Sequence, residues 1–486
     1  MKITDIQQLN PKTLWENFYS LTRVPRPSGK KEEIGLFLEK FGKSLGLETL
    51  RDTAGNVLIR KPATPGMENR KTVILQAHMD MVPQKNSHVI HDFEKDPINA
   101  YIDGEWVKAQ DTTLGADNGI GVATAMAILQ STHPHPALEV LITADEETGM
   151  YGAFGLQPGF LKGDILINLD SEEEGELCIG CAGGLDADIT FRYKEVPVPE
   201  GDIALKISLT GLKGGHSGID INLQRANANK LLFRLLKTAV AEYEARLASV
   251  DGGSLRNAIP REAFAVVTVP EDGVQDMIDL IEEYRNLYKE EFKTVEDNII
   301  LDIEEVDLPS GLIPEEIQDD LINGVTACPN GVFRYTPEVP DVVETSGNIA
   351  IVKSNRDTIK ISILLRSSVE SRKEELGSMV ESVFTLAGAK VEFSGSYPGW
   401  SPNIHSSILQ TMKNTYFNMF GKEAKVMIIH AGLECGIIGS HYPNLDMISC
   451  GPTIVHPHSP DEKVNIKSVE NFWNYLVAVL SQIPEK

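Results

Sequence analysis

The 486-residue sequence lacks the features that mark membrane-spanning, secreted or disulfide-rich proteins. No uninterrupted apolar run approaches the roughly 20 residues that a membrane-spanning helix needs. Cysteine occurs five times, an odd number scattered over a long chain, which does not suggest a disulfide framework. The first residues, MKITDIQQLNPKTLWENF, contain no apolar stretch of signal-peptide length. We therefore expect a cytoplasmic protein without a membrane partner.

Positive charge is also in deficit. The chain has 45 Lys and Arg residues against 70 Asp and Glu residues, a net charge of −25. Because such a surface repels phosphate, nucleic acid is not expected as a partner. Hydrophobic residues (42%) and charged residues (24%) occur in the proportions of a soluble globular protein. The length exceeds what one hydrophobic core usually supports, so two or more domains are expected.

Short apolar segments alternate with helix-like segments in the first third of the chain. TVILQA (72–77), LEVLITA (138–144) and DILINLD (164–170) are bounded by turn residues, as the buried strands of an α/β sheet are. GIGVATAMAILQ, between the first two, predicts a helix of small residues that packs closely against the sheet.

Two changes of composition divide the chain. After Gly184, the Pro-rich VPVPEGD precedes longer strand and helix patterns. The Pro-, Gly- and Ser-rich SGSYPGWSP (394–402) precedes a return to the earlier alternation. We therefore predict one domain formed by residues 1–184 and 399–486, interrupted by an inserted α+β domain of residues 185–398.

Acidic and imidazole side chains follow the predicted strands at the point where each strand ends. Ligands of open α/β sheets bind beyond the carboxyl ends of the strands, so these side chains are expected to gather at one edge. A further acid directly precedes the small-residue helix, and two histidines lie near the C-terminus. The set is His78, Asp80, Asp117, Asp145, Glu146, Glu147, Asp170, His456 and His458.

Such a cluster predicts a pair of divalent metal ions. Metal binding stabilises deprotonated carboxylates and neutral imidazoles that would otherwise crowd each other. Five ligands that include one shared carboxylate suit two metals about 3.5–4 Å apart. Histidine and carboxylate without thiolate favour zinc, with cobalt or manganese as substitutes.

Two details of the pattern concern residues next to the ligands. Asp80 lies two positions after His78 on an extended strand, so it can accept the other imidazole N–H of His78. Of Glu146 and Glu147, one would bind metal and the other would act as a general base, and the motif does not show which.

Seven segments of the sequence together resemble the aminoacyl-histidine dipeptidases, carnosinase-like cytosolic enzymes of the dizinc aminoacylase and carboxypeptidase clan. The resemblance covers nearly the whole chain, and it implies a zinc-exopeptidase-like mixed sheet flanked by helices, with a large inserted α+β lid domain that also dimerises. The segments are AHMDMV, LGADNGIGVA, ADEETGMYGA, NLDSEEEGEL, GGHSGIDINLQRANA, HAGLECG and GPTIVHPHSPDE.

The resemblance also implies a role for each site residue. It places His78 and Asp170 on one metal and Glu147 and His458 on the other, with Asp117 bridging. It makes Glu146 the general base and Asp80 the orienting partner of His78. In the inserted domain it implies that His216 polarises the scissile carbonyl. The implied substrate-binding residues are Asn257, Arg366 and Gly432.

Two of these residues have simpler interpretations. Arg366 can clamp a terminal carboxylate, but an arginine that ends a strand is more often a solvated terminus. His216 lies in the glycine-rich GGHSG, where a histidine is often an exposed turn residue. Cys178 and Cys181 form a lone CxxC, which we interpret as ordinary thiols rather than a metal site.

We therefore predict a two-metal dipeptidase, expected as a homodimer, that hydrolyses unblocked dipeptides and prefers a C-terminal histidine, as in carnosine. One alternative is an N-acyl amino-acid deacylase of the same clan. Another is a non-catalytic scaffold that retains the fold, although a scaffold has no need for an uncoordinated glutamate beside the ligands.

Overall fold

The computed structural model describes residues 5–337, 339 and 341–486, and the chain divides into two compact units. The first unit comprises the chain up to Gly180 together with Trp400–Ile428 and Leu433–Lys486. The second comprises Cys181–Gly399 and Ile429–Gly432. No helix in the described part of the chain is long and apolar enough to cross a membrane.

The α-helices are numbered in chain order. They are α1 (Lys12–Thr22), α2 (Lys31–Ser44), α3 (Ala116–Gln130), α4 (Tyr151–Gly155), α5 (Ala228–Glu242), α6 (Val274–Glu291), α7 (Glu315–Ala327), α8 (Glu370–Leu386), α9 (Ser407–Phe420), α10 (Glu434–His441) and α11 (Ile466–Leu480).

The strands are numbered in the same way. They are β1 (Glu48–Arg51), β2 (Val57–Lys61), β3 (Val73–His78), β4 (Ala100–Asp103), β5 (Trp106–Ala109), β6 (Leu138–Thr143), β7 (Ile165–Asn168), β8 (Glu176–Cys181), β9 (Gly183–Arg192), β10 (Asp202–Thr210), β11 (Gly215–His216), β12 (Arg246–Gly252), β13 (Ala258–Ile259), β14 (Ala263–Pro270), β15 (Ile300–Val306), β16 (Gly331–Tyr335), β17 (Val343–Ser354), β18 (Thr358–Ser367), β19 (Lys390–Tyr397), β20 (Lys425–Ile429), β21 (Asp446–Ser449), β22 (Ile454–Val455) and β23 (Lys463–Asn465).

The first unit contains a mixed sheet in the order β1-β2-β6-β3-β7-β21-β8-β20. Its centre is parallel, because β3 pairs in parallel with both β6 and β7, and β21 with β7. Strands β3, β6 and β7 are buried along their whole length. This confirms the predicted buried strands and the α/β fold class. Since the parallel strands run in one direction, His78 at the end of β3 lies beside Thr143 at the end of β6.

Helix α3 packs against this sheet and is buried from Ala116 to Leu129. Its small residues permit the close approach. A Cβ atom added at Gly121 would lie 2.3 Å from Oδ1 of Asn118 and 2.6 Å from the carbonyl oxygen of Leu169. The prediction of a closely packed small-residue helix is confirmed.

The second unit contains an antiparallel sheet in the order β15-β10-β14-β12-β17-β18-β9-β19, with β16 added on β17. Helices α5, α6, α7 and α8 share one hydrophobic core with this sheet. A separate two-stranded ribbon pairs β11 with β13. All five cysteines are buried and none forms a disulfide.

Replacing Gly121 with alanine should destabilise the first unit. The new methyl group meets a backbone carbonyl that cannot rotate away, so we expect the free energy of unfolding to fall by about 1–3 kcal/mol. Urea titration measures this change. Gly273→Ala is the control, because its Cβ would meet no atom closer than 3.9 Å. Equal stability of the two variants would contradict the packing argument.

Candidate metal centre and substrate-contact residues

The five predicted metal ligands come together in the first unit. Their ligand atoms form two overlapping groups, each with all atoms within 4.8 Å of one another. One group is His78, Asp117 and Asp170, and the other is Asp117, Glu147 and His458. The two groups share only Asp117. His456 belongs to none of the groups found among the described residues.

The carboxylate of Asp117 faces a different imidazole with each oxygen. Oδ1 lies 3.1 Å from Nε2 of His78, and Oδ2 lies 3.1 Å from Nε2 of His458. Asp117 is placed by the start of α3, where its backbone is still non-helical (φ −79°, ψ 111°). Asp170 completes the first group, with Oδ1 3.4 Å from Nε2 of His78.

His78 is held from behind by Asp80. Nδ1 of His78 lies 3.2 Å from the carbonyl oxygen of Asp80 and 3.5 Å from its carboxylate. An Nδ1–H donor in this position leaves Nε2 as the ring nitrogen that faces Asp117. The nearer acceptor is thus the backbone of Asp80 rather than the side chain that we expected.

The carboxylate of Asp80 also accepts hydrogen bonds from the turn that carries Glu146 and Glu147. It accepts the backbone N–H of Glu146 (3.0 Å) and of Glu147 (3.3 Å), and the hydroxyl of Ser28 (2.8 Å). Although burial opposes its charge, the interaction with His78, whose Nδ1 lies 3.5 Å away, lowers the pKa of Asp80 to about 2. Asp80 therefore fixes the turn that carries both glutamates relative to the end of β3.

The three consecutive acids after β6 have different surroundings. Asp145 points away from the cluster, because its carboxylate accepts the N–H of Gly29 (2.8 Å) and pairs with Lys31 (2.9 Å). Glu147 points into it, with Oε2 3.0 Å from Nε2 of His458. Glu146 lies within 4.8 Å of the ligand atoms of His78 and Glu147, and burial raises its pKa well above the usual range.

The cluster has the chemistry of a divalent metal site. Oε1 of Glu147 and Oδ1 of Asp170 are buried and accept no hydrogen bond from any residue that the structure describes. Burial raises the pKa of Asp170 to about 6, while hydrogen bonds to Asp117 and Glu147 raise that of His458 to about 11. Cations would satisfy these oxygens, and oxygen and imidazole donors without thiolate suit zinc, cobalt or manganese.

Other acids border the cluster. Glu434 is buried and accepts hydrogen bonds from the amide of Gln76 (2.6 Å) and the hydroxyl of Thr143 (2.7 Å), and burial raises its pKa to about 8. Burial also raises the pKa of Glu172 to about 8. Glu172 could not be singled out from the sequence, because nothing in the acidic run SEEEGE distinguishes it from its neighbours Glu173 and Glu174.

His216 lies in the second unit on the β11–β13 ribbon. His216 pairs with Ala258 in this ribbon, and the N–H of Ser217 donates to the carbonyl of Asn257 (2.8 Å). The segments that carry His216 and Asn257 are therefore hydrogen-bonded to each other. Nδ1 of His216 lies 3.1 Å from the backbone N–H groups of both Gly218 and Ile219. Burial, followed by the charge of the nearby Arg366, lowers the pKa of His216, which favours the neutral ring. In a neutral ring whose Nδ1 faces two N–H donors, the proton is on Nε2.

Arg366 is a buried cation near the end of β18. Its side chain is only 5% exposed, so the interpretation as a solvated strand end is wrong. Nη1 donates to the hydroxyl of Tyr397 (3.0 Å), while Nε is buried without an acceptor among the described residues. A buried guanidinium with an unused donor suits a small anion such as a carboxylate.

His430 and Gly432 lie in the short segment that returns to the second unit. Nε2 of His430 is 2.7 Å from the hydroxyl of Ser346 on β17. A Cβ added at Gly218 would meet the carbonyl oxygen of His430 at 2.2 Å, so this segment lies against the loop that follows His216. Gly432 is half-buried.

Comparison with known proteins places this chain among the peptide hydrolases. Residues 74–482 match Peptidase family M20/M25/M40, and the chain belongs to this family. This match and the two full-length relatives described next confirm the resemblance inferred from the sequence motifs.

Two relatives match over essentially the full length. The chain is 47% identical over 485 residues to the cytosol non-specific dipeptidase of Escherichia coli (strain K12), covering 100% of both chains. The crystal structure of aminoacylhistidine dipeptidase from Vibrio alginolyticus has 48% identity and a TM-score of 0.95, covering 99% of this chain and 98% of that one. Aminopeptidase PepT from Bacillus cereus (16% identity, TM-score 0.58, covering 98% and 99%) shares the fold.

The buried His430 should make the protein less stable in acid. Burial, followed by the charge of Arg366 and the neighbouring His216, lowers its pKa from 6.5 to about 3. The unfolded chain therefore binds this proton below about pH 6.5, whereas the folded chain does not until about pH 3. Folding stability is thus lost as pH falls through this window, and His430 accounts for about 2 kcal/mol of the loss at pH 5.

The variant His430→Gln keeps a hydrogen-bonding partner for Ser346 but cannot take up the proton. We expect its free energy of unfolding to change less between pH 7 and pH 5 than that of the unmodified protein. His133→Gln, at an exposed position, is the control and should follow the unmodified curve. Identical curves for all three proteins would contradict the assignment.

Proposed function

We propose that this chain is a metal-dependent dipeptidase that hydrolyses unblocked dipeptides and prefers a C-terminal histidine. The observation that carries the proposal is the carboxylate of Asp117, which faces one imidazole of each ligand group. The two full-length relatives are both named as dipeptidases, which supports the substrate class.

We propose two metal positions within this donor set. His78, Asp117 and Asp170 would hold one divalent ion, and Asp117, Glu147 and His458 the other, with zinc as the expected metal and cobalt or manganese as substitutes. When bound, such ions polarise the scissile carbonyl and make water acidic enough to attack near neutral pH.

Glu146 is the proposed general base. It lies beside the ligand groups, yet neither group that contains Asp117 includes it. Its carboxylate would accept a proton from the attacking water as the new C–O bond forms. It would then deliver that proton to the amine as the C–N bond breaks. A pKa raised by burial suits a group that must both take and return a proton.

Four further residues are the proposed substrate contacts. The Nε2–H of His216 is the proposed donor to the carbonyl oxygen as negative charge develops there. Arg366 would bind the terminal carboxylate, which restricts substrates to very short peptides. Asn257 and Gly432 are the further proposed contacts. Lid and dimerisation roles for residues 185–398, a homodimeric state and a cytoplasmic location also belong to this proposal.

A panel of small substrates tests the proposed activity. We expect hydrolysis of carnosine, Gly-His and Gly-Leu, with the highest kcat/KM for a histidine dipeptide. The C-terminal amide of Gly-His should react poorly, because it lacks the charge that Arg366 would bind. A chelator should abolish the activity and zinc should restore it. Faster hydrolysis of an N-acetyl amino acid than of any dipeptide would indicate a deacylase instead.

The variant Glu146→Gln tests the general base. An amide cannot take up the proton, so we expect kcat to fall by roughly 10²–10⁴-fold, the usual contribution of general acid–base catalysis. Metal content per chain, measured by plasma mass spectrometry, should stay as in the unmodified protein. Asp145→Asn is the control, since Asp145 pairs with Lys31 outside the ligand groups. Unimpaired turnover of Glu146→Gln would remove this residue from the role.

A further inference from the structure

Two buried ionisable residues, Arg26 and Glu462, connect the three segments that carry His78, Asp117 and His458. Neither belongs to the ligand groups of the described residues. Arg26 is 3% exposed and Glu462 is 1% exposed. Burying a full charge is unfavourable unless hydrogen bonds compensate it, so the partners of these two side chains show what they do.

Glu462 binds the chain segment that leads to Asp117. Its Oε2 accepts the N–H groups of Leu114 (2.7 Å) and Gly115 (2.9 Å). Its Oε1 accepts those of Ala116 (2.7 Å) and Asp117 (3.1 Å). One carboxylate thus satisfies four consecutive backbone donors at the start of α3, where no helical carbonyl is available to them.

Glu462 also belongs to the segment of His458. The two residues are four positions apart, and the N–H of Glu462 donates to the carbonyl of Ser459 (3.0 Å) in the turn between them. The carboxylate therefore fixes the His458 segment against the backbone of Asp117. These are the two residues whose side chains face each other across 3.1 Å.

Arg26 makes the corresponding connection to His78. Its Nη1 donates to the carbonyl oxygens of Met79 and Asp80, both at 3.1 Å. Its Nη2 donates to the carbonyl of Gly115. A planar guanidinium can reach all three carbonyls at once, so it joins the end of β3 to the loop before α3.

Gly115 is the point where both charged residues meet the backbone. Its N–H binds Glu462 and its carbonyl binds Arg26. Its φ of +69° favours glycine, and a Cβ there would lie 2.5 Å from Nη2 of Arg26 and 2.7 Å from the sulfur of Met81. The close fit of the guanidinium therefore depends on this residue.

We propose that Glu462 and Arg26 are positioning residues that hold the three ligand segments at the spacing the metal pair requires. The inference rests on the proposed metal centre. Without the carboxylate, four backbone N–H groups lose their acceptor and the carboxylate of Asp117 is free to shift relative to both imidazoles. Loss of such supporting contacts commonly weakens metal binding by about 10–100-fold.

The variant Glu462→Gln tests this role. Glutamine has the same shape but only one acceptor oxygen, and its NH₂ group would face backbone donors. The full chain is stripped of metal, then titrated with Co²⁺ alone in competition with a chromophoric chelator. We expect the affinity to fall by roughly 10–100-fold and the visible Co²⁺ spectrum to change, because the ligand geometry changes.

Glu139→Gln is the matched control. Glu139 is equally buried in the same unit, and its carboxylate accepts the N–H groups of Lys162 (2.7 Å) and Gly163 (2.9 Å) and the Nε–H of Arg60 (2.8 Å). It pairs with Ile74, four residues before His78 on β3. This variant should lose thermal stability but keep the Co²⁺ affinity and spectrum of the unmodified protein.

The outcomes separate this inference from the proposed function. If the unmodified protein binds no pair of ions, the metal centre itself is wrong. If it binds two ions and Glu462→Gln binds them with equal affinity, only the positioning role is overturned. Equal losses in Glu462→Gln and Glu139→Gln would also overturn it, as a general effect of instability. If Glu462→Gln does not fold, Arg26→Lys, which cannot span three carbonyls, is judged by the same criteria.

Discussion

The sharing of one carboxylate between two imidazole-bearing sites is the constraint on which the rest of the site depends. Asp117 can face both His78 and His458 only if the end of β3, the start of α3 and the segment before β23 meet at one point. In the parallel centre of the sheet, β3 and β6 end side by side and β7 ends opposite Gln76, so the chain leaves all three strands at the same edge. The small-residue surface of α3 brings the helix, and with it Asp117, close to the sheet.

Burial makes the arrangement electrostatically demanding. The acids Glu146, Asp170, Glu172 and Glu434 all have raised pKa values because burial disfavours their charged forms. A chain with a net charge of −25 adds no compensating field. Divalent cations are the groups that would reverse this preference. In the second unit the buried charge is positive. Arg366 lies near His216 and His430, whose pKa values are lowered, and its guanidinium suits an anionic substrate group.

The buried parallel strands and the cluster of acids and histidines at their ends could be predicted from the sequence, for a physical reason. Parallel strands present their carboxyl ends at one edge, so polar residues that follow apolar strands must gather there. The contacts made through the backbone could not be predicted. The hydrogen bonds by which Arg26 and Glu462 hold the ligand segments all go to main-chain groups, and no pattern of residue types predicts such contacts. The orientation of Asp145 away from the cluster could not be predicted either, because it depends on an ion pair with Lys31, 114 residues away.

Whether Asp117 is shared by two metal ions can be measured by anomalous diffraction from a zinc-soaked crystal, collected on both sides of the zinc absorption edge. A metal pair that shares Asp117 should give two peaks about 3.5–4 Å apart, each next to a different oxygen of that carboxylate. One peak would adjoin His78 and Asp170, and the other Glu147 and His458. A single peak, or two peaks that do not share Asp117, would contradict this arrangement.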